Sequence, residues 1–493
     1  MAFVDSALIP VTLLQCVIAW LVYRALSNPL RKIPGPFWAR HTNLWKAYHM
    51  YSRSLPEALL KAHEKYGPVI RIGPNDVDFQ SREAIEPIYK AGRTMPKTKF
   101  YDGFRAKISS LFSGRDESLH AMRRRQMANS FSTANVLKFE ALFNKHINRL
   151  YNNVEQTAGK VFDIREYIAC YAYDFIGELA FDKDLNTQAQ PDREKLPPIA
   201  EHTLLACMLG MFPGLLPYSM LLAPYVPIPA LQKLIAGRGE LARQTASFVI
   251  ASKNNHVEGV RSTLLDNMLE AKDPETGARL SIEELCSEAF TFLVAGAHTS
   301  SSTLGFFFYR LMQNPEYADK LVAELEANLP LYDKGGEDIP YAGLESKLPY
   351  SMACIKENFR MNPVIDMPLP RLVASPGGIN ISGHHMPQGT HVSMSALALH
   401  HHQQFWGDDH AKFIPERWLD NPISANEIMH YGFGHRACIG RNIANISILK
   451  VVVTLWRNFE FTMVDKDMEL RVSSVGVSEM QDPLLCTVRK RES

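Results

Sequence analysis

The stretch Tyr431-Gly432-Phe433-Gly434-His435-Arg436-Ala437-Cys438-Ile439-Gly440 constrains this chain more than any other. It reads as a glycine-loosened loop that delivers one cysteine to the start of a helix. That helix is the apolar run Ile443-Ala444-Asn445-Ile446-Ser447-Ile448-Leu449, continuing through Val451-Val452-Val453. A sulfur at a helix N-terminus faces unpaired backbone N–H groups and the positive end of the helix dipole, which favours its thiolate. Gly432, Gly434 and Gly440 remove side chains where something flat and bulky must approach the backbone. Arg436, just before the sulfur, is placed to meet an anionic group on that object. A planar, anionic group ligated by sulfur is a haem.

The rest of the chain must house such a group. Its 493 residues, 46 % of them hydrophobic, can bury a large core, and a net charge of +1 argues against general nucleic-acid binding. Cysteines at 16, 170, 207, 286, 354, 438 and 486 form no C-x-x-C pair and read as reduced thiols on the cytosolic side of a membrane. Residues 7–23 are uncharged and mostly apolar, just long enough for a bilayer span of about 17–25 residues. Arg24, Arg31 and Lys32 follow it, so the positive-inside rule leaves the body cytoplasmic. The basic start of a cleavable signal peptide is missing. A glycosylation triplet at Asn380 is matched by one at Asn445, on the helix after the cysteine, where a glycan does not fit. The expected division is an anchor, 1–30, and a catalytic body, 31–493.

Several further patterns carry chemistry. Ile33-Pro34-Gly35-Pro36 is a stiff turn. A capping box at Ser54 and Glu57, with Gly67 beyond, predicts a helix, and 69–79 predict a hairpin. A basic helix over 118–127 puts His120 and Arg124 on one face, leaving Arg123 and Arg125 to a solvated face or a docking surface for an acidic redox partner. Residues 203–226 are apolar enough either for core or for resting in a membrane surface. A Ser281/Glu284 capping box opens a helix to about Met312, roughly 48 Å long at 1.5 Å per residue. It contains Gly296, His298 and Thr299, polar or small residues that need a reason in a buried helix. Glu357 and Arg360 stand at i, i+3, followed by Pro415-Glu416-Arg417-Trp418. The histidines at 384, 385, 391, 400, 401, 402 and 410 lack ligand spacing for zinc and read as solvated loop residues.

In combination these motifs resemble the cytochrome P-450 superfamily. The cysteine loop is similar to its F-x-x-G-x-R-x-C-x-G signature, departing only at Tyr431. The oxygen-groove helix, the E-x-x-R pair and the P-E-R-W element precede it in the family's order. The resemblance implies a mainly α fold with a small β region, one catalytic domain behind an N-terminal transmembrane helix. It implies haem b (iron protoporphyrin IX) ligated by Cys438, in a loop shaped by Phe433, Gly434 and Gly440. Arg436, His120 (where the family has Trp), Arg124 and Arg371 would meet the haem carboxylates, and Glu357, Arg360 and Arg417 would lock behind the loop. Gly296, His298 and Thr299 would lie over the iron, where helix hydrogen bonding loosens. His298 replaces the family's acid, either relaying protons or making a structural hydrogen bond.

The implied function is haem-thiolate monooxygenation of a lipophilic molecule, most like members in fungal secondary metabolism. Desaturation, ring formation, phenol coupling and detoxification of xenobiotics or phytoalexins are the alternatives. Electrons would come from NADPH through a membrane reductase, with cytochrome b5 as a further donor, at the endoplasmic reticulum. Segments 97–112, 203–220, 292–300, 364–369 and 473–480 would line the pocket.

Overall fold

The computed structural model describes residue 12 and residues 27–90, 92, 94–256, 263–330, 339–420 and 428–491. Of the apolar span 7–23 read as crossing a bilayer, only Thr12 is among these residues. Gly35 of the stiff turn is required by a close approach: a Cβ there would lie 2.2 Å from the Arg71 carbonyl oxygen. Helices α1 (Leu44–Tyr51) and α2 (Leu55–Tyr66) lead into the hairpin β1 (Val69–Arg71) and β2 (Asp76–Phe79). Ser54 caps α2 by position only. Its hydroxyl lies 3.2 Å from His49 Nδ1, so the expected box with Glu57 does not form.

Next come α3 (Glu117–Ala128), α4 (Glu140–Glu155), β3 (Phe162–Asp163), α5 (Ile164–Phe181), α6 (Ile199–Met211) and α7 (Pro229–Asn255). The long α8 (Ile282–Gln313) precedes α9 (Pro315–Asn328), α10 (Pro349–Met361), β4 (Arg371–Leu372), β5 (Ile379–Ile381), β6 (His384–Met386) and β7 (His391–Ser393). Beyond the cysteine loop lie α11 (Arg441–Asn458), β8 (Phe459–Met463), β9 (Val472–Ser474), β10 (Ser478–Met480) and β11 (Leu485–Lys490). The β region is small: one four-stranded sheet in the order β1-β2-β7-β4, one three-stranded sheet β3-β11-β8, and two hairpins. The body is otherwise helical, as the sequence predicts.

Both halves of the capping box on α8 are made. Glu284 N–H donates to Ser281 Oγ at 3.2 Å, and Ser281 N–H to Glu284 Oε2 at 2.8 Å. Phe306, Phe307 and Phe308 are all fully buried, and Phe308 packs on Trp456 of α11 with ring centres 5.5 Å apart. A helix apolar on nearly every face belongs in the middle of a core. The helix is α over its whole length, with no 3-10 or π turn at the place where loosening is expected. Among the described residues no single helix is long and apolar enough to cross a membrane. One bent pair, Ile199–Met211 with Pro213–Ser219, passes only jointly, at 97°.

Candidate cofactor site

The cysteine loop is built by its own backbone. Cys438 N–H donates to the Tyr431 carbonyl at 2.8 Å, and Gly440 stands at the N-cap of α11. Gly432 and Gly434 have φ of 67° and 65°, which side-chain-bearing residues rarely adopt. A Cβ on Gly434 would meet the Tyr89 carbonyl oxygen at 2.3 Å, so the space that this glycine frees is taken by the chain itself. Gly440 has an ordinary φ of −81° and stands clear except for Cys438 Sγ, 3.9 Å from a Cβ there. Phe433 is buried under Lys90, whose ammonium lies 5.1 Å from the ring centre. Tyr431 keeps the aromatic ring of the signature, and its hydroxyl donates to Asn445 Oδ1 at 2.5 Å.

Exchanging Gly434 for alanine is therefore expected to cost more than the same change at Gly432, where nothing lies within 4 Å. About 1 kcal/mol at 432 and 2 kcal/mol or more at 434 follow from strain alone against strain plus collision. Chemical denaturation of the two variants checks the order.

Cys438 is exposed although it sits between buried Phe433 and Ile443. Its thiol is pushed up by burial, while the N–H groups of Gly440 and Arg441 and the guanidinium of Arg124 pull it back. The helix end alone does not make the thiolate. A metal cation held at this sulfur would displace the thiol proton and complete it.

Beside the sulfur lies a concentration of buried and half-buried cations. Arg124 Nη1 donates to the Ala437 carbonyl at 2.6 Å, the residue next to the cysteine. Arg436 donates to the Gly114 carbonyl at 2.8 Å and to Glu117 Oε1 at 2.6 Å. Arg371 reaches the Tyr101 hydroxyl at 2.8 Å. Lys97, absent from the sequence-derived set, is buried over the rings of Tyr101 and Phe112, at 4.3 and 4.5 Å, and donates to the Phe112 carbonyl. Burial, then Arg371 and Arg436, push its ammonium well below the usual range. His120 is buried 5.9 Å from the His435 ring, and burial, then Arg436 and Lys97, lower it to about 2.

Glu117, His120 and His435 hold ligand atoms within 4.8 Å of one another, the spacing of a metal cluster. The surrounding Arg436, Lys97 and Arg124 oppose a cation there and favour an anion. His120 Nδ1 and Arg436 Nε are buried without partners among the described residues. A soft sulfur, cations in excess and unspent donors fit a haem, its iron to Cys438 and its carboxylates to the cations. No local signal separates Lys97 from Lys99, Arg105 and Lys107 in the same aromatic-rich stretch.

Two neighbours of Arg124 correct the expectation of a solvated or docking face. Arg123 is buried, paired with Glu284 at 2.8 Å and Glu288 at 3.6 Å; Arg125 bonds Asp273 at 2.9 Å. Behind the loop, Arg360 grips both oxygens of Glu357 at 2.9 and 2.7 Å, and Arg417 Nε adds a third bond at 3.0 Å. Arg360 also donates to the carbonyls of His400, His410 and Lys412 at 2.7–2.9 Å. His400 is no solvated histidine. It is fully buried, its Nδ1 donates to the Arg360 carbonyl at 3.1 Å, and its Nε2 accepts from Met429 N–H at 2.8 Å. His401 and His391 are likewise committed, to the Met361 carbonyl at 3.1 Å and Asp76 at 3.0 Å. His384 and His385 are exposed, as expected.

On α8 the three singled-out residues part company. Ala295 is exposed in the middle of a helix whose other residues from 284 onward are buried or half-buried, and Thr299 Oγ1, on the same face, donates to its carbonyl at 2.7 Å. Gly296 faces α5 instead: a Cβ there would lie 2.7 Å from Ile176 Cδ1, so packing accounts for this glycine. His298 is buried with Nε2 3.4 Å from Glu479 on β10. The five predicted pocket segments do adjoin. Gly103 abuts the Ala206 carbonyl, Cys207 lies 3.6 Å from Met367 and from the Val475 carbonyl, and Glu479 reaches His298.

Known proteins align with this arrangement. The family model described as Cytochrome P450 matches residues 33–485. A pisatin demethylase of Fusarium vanettenii is 28 % identical, over 94 % of this chain and 91 % of its own length. Cytochrome P450 monooxygenase gsfF of Penicillium aethiopicum is 30 % identical over 91 % of each chain. Benzoate 4-monooxygenase bphA of Aspergillus niger is 29 % identical over 88 % of each. The crystal structure of a cytochrome P450, CYP102L1, superposes with a TM-score of 0.73 at 21 % identity, covering 88 % of this chain and 94 % of that one. At that identity the likeness is one of fold.

Proposed function

The chain belongs to the cytochrome P450 family and is a haem-thiolate monooxygenase; from that premise we propose that it oxidises a lipophilic aromatic small molecule, with electrons passed from NADPH by a membrane-bound reductase. The observation that carries the reading is Cys438, exposed at the head of α11 near the cluster of Lys97, Arg124, Arg371 and Arg436. When bound, haem supplies the reductive activation of dioxygen. The protein's own part is to hold, orient and protonate. Cys438 would bind the iron, and the four cations with His120 would fix the carboxylates. Thr299 offers a hydroxyl on the face of α8 where Ala295 is exposed.

An aromatic substrate is favoured by the ring cluster of Phe100, Tyr101, Phe104 and Phe112, whose centres lie 5.2–5.7 Å apart in edge-to-face contacts. Such walls take flat apolar guests well. Benzoate, in the name of one relative, is an aromatic acid. The pisatin demethylase relatives favour a second outcome of the same chemistry, oxidative demethylation.

Membrane association is supported by two exposed apolar groups. Phe37, Trp38 and Tyr48 are each 67 % exposed, and Leu215, Leu221 and Tyr225 are 59, 68 and 82 % exposed. Asn43 Nδ2, donating to the Met211 carbonyl at 2.8 Å, ties the first group's segment to the second's. A surface of this kind rests on lipid. With residues 7–23 as anchor, we place the enzyme at the endoplasmic reticulum, its body cytoplasmic.

Incubating cells that carry or lack the gene under isotopically labelled dioxygen tests the reading. The expected result is one gene-dependent product that retains a single labelled oxygen, or a demethylated product with the label in the released fragment. A gene-dependent product without label in either place would remove the monooxygenation claim for this substrate and leave desaturation, ring closure or coupling.

A further inference from the structure

From residue 6 to residue 56 the chain carries six cations, Arg24, Arg31, Lys32, Arg40, Lys46 and Arg53, and no Asp or Glu. Such a cluster on the cytoplasmic side of a membrane anchor attracts anionic lipid. The fold leaves part of that charge unspent. Arg40 closes a 3-10 turn, Trp38–Arg40, that lies flat at the surface: Ala39 is fully buried, Phe37 and Trp38 are exposed, and Arg40 is half-buried. Arg40 Nε is buried without a hydrogen-bond partner, and its guanidinium makes no ion pair among the described residues. Arg71, buried on β1, donates to the carbonyls of Gly73 at 3.3 Å and Pro74 at 2.6 Å. Asp76, on the adjoining strand, is taken by Lys46 and His391, each at 3.0 Å. The two arginines share one neighbourhood. Arg71 N–H donates to the Pro34 carbonyl at 2.7 Å, just ahead of the turn, and burial, then the charge of Arg40, pushes the Arg71 guanidinium down. The rings beside this charge set its depth. Leu44, Tyr48 and Tyr51 of α1 are exposed with Phe37 and Trp38, and Trp and Tyr concentrate at the headgroup level of a bilayer.

We propose that Arg40 binds the phosphate of one anionic phospholipid, with Arg71 behind it as a second, deeper positive charge and Phe37, Trp38 and Tyr48 against the acyl chains. A guanidinium with free N–H groups suits a phosphate. An acidic protein surface would match the cations but leave the rings uncovered, whereas a phospholipid answers both. The lipid fastens the body to the bilayer at a second point, beyond the anchor. Asn43, three residues after Arg40, carries that hold to Met211 through its bond to the Met211 carbonyl. The proposal rests on the membrane reading above.

The test takes the full-length holoenzyme in nonionic detergent with equal amounts of phosphatidic acid and phosphatidylcholine, and counts lipid retained per chain by native mass spectrometry. Phosphatidic acid should be retained about tenfold better than phosphatidylcholine. Free glycerol phosphate at the same concentration should not displace it, because it lacks the chains that the rings hold. Arg40→Gln should lower retention of phosphatidic acid about fivefold, the share of one cation, with phosphatidylcholine retention and haem content unchanged. Arg40→Lys, which keeps the charge, should stay within about twofold of wild type. If Arg40→Gln does not fold, the wild type decides: raising ammonium acetate from about 0.05 to 0.5 M should cut the preference at least about threefold. Equal retention of the two lipids, a preference unmoved by salt, or an unchanged preference in folded Arg40→Gln would overturn the proposal. Displacement by glycerol phosphate would overturn it too, marking a site for a free anion. The membrane reading has its own arm. Phe37→Ser/Trp38→Ser should lower retention of both lipids alike, about threefold, and no change in either would defeat that reading instead.

Discussion

Replacing Glu357 with alanine is expected to cost about 3–5 kcal/mol and to take haem binding with it. Glu357 is fully buried and accepts five hydrogen bonds: two from Arg360, and one each from Arg417 Nε, Trp418 Nε1 and Ile414 N–H, all at 2.7–3.0 Å. Without the carboxylate, Arg360 is left as an uncompensated charge with no exposure to water. Domains of ordinary stability hold about 5–15 kcal/mol in total, so the loss is a large share. It also reaches the cofactor, because Arg360 and His400 bond each other's backbone carbonyls and His400 accepts from Met429 N–H at the base of the cysteine loop. Glu357→Gln, which keeps shape and part of the hydrogen bonding, should lose less. Denaturant midpoints and haem absorbance per chain measure both effects. A loss under about 1 kcal/mol with full haem content would show that the network does not support the loop.

Cys438→Ser should abolish monooxygenation, by at least about a thousandfold, or some 4 kcal/mol of barrier. A serine hydroxyl keeps the volume, and the loop around it is fixed by backbone: the N–H at 438 on the Tyr431 carbonyl, the positive φ at 432 and 434, and Tyr431 on Asn445. The fold should therefore survive. What is lost is a ligand that ionises when metal binds and donates electron density to the iron. The variant is expected to bind haem weakly, without the red-shifted Soret band of a sulfur-bound reduced carbonyl adduct. Turnover within tenfold of wild type would mean that another residue binds the iron.

Much of this was legible in sequence because local rules and global packing agree. The capping box on α8 and the hairpin at β1–β2 formed as their residues prescribe. The family resemblance of Glu357, Arg360 and Arg417, not their spacing alone, implied a network that the fold does assemble. Legibility ended where a side chain's fate depends on a distant element. Ser54 looked like a cap, yet His49 takes its hydroxyl. Arg123 and Arg125 looked solvated, but acids from the segment ahead of α8 and from α8 itself claim them. His400 and Lys97 are ordinary letters in sequence, and only the fold places one under the loop and the other among the aromatic rings. Gly296 shows the opposite error: it fits a motif, but α5 explains it. The pairing of His298 with Glu479, 181 residues apart (479 − 298), has no local signal at all.

The chemistry of this enzyme depends on sulfur meeting iron at position 438. The most direct measurement is the absorbance of the purified wild-type protein, reduced and exposed to carbon monoxide. A Soret band shifted far to the red of a globin's, in proportion to one haem per chain, is the result expected of a cysteinate ligand. A band at the position of a histidine-bound globin, or a protein that takes up no haem, would contradict it.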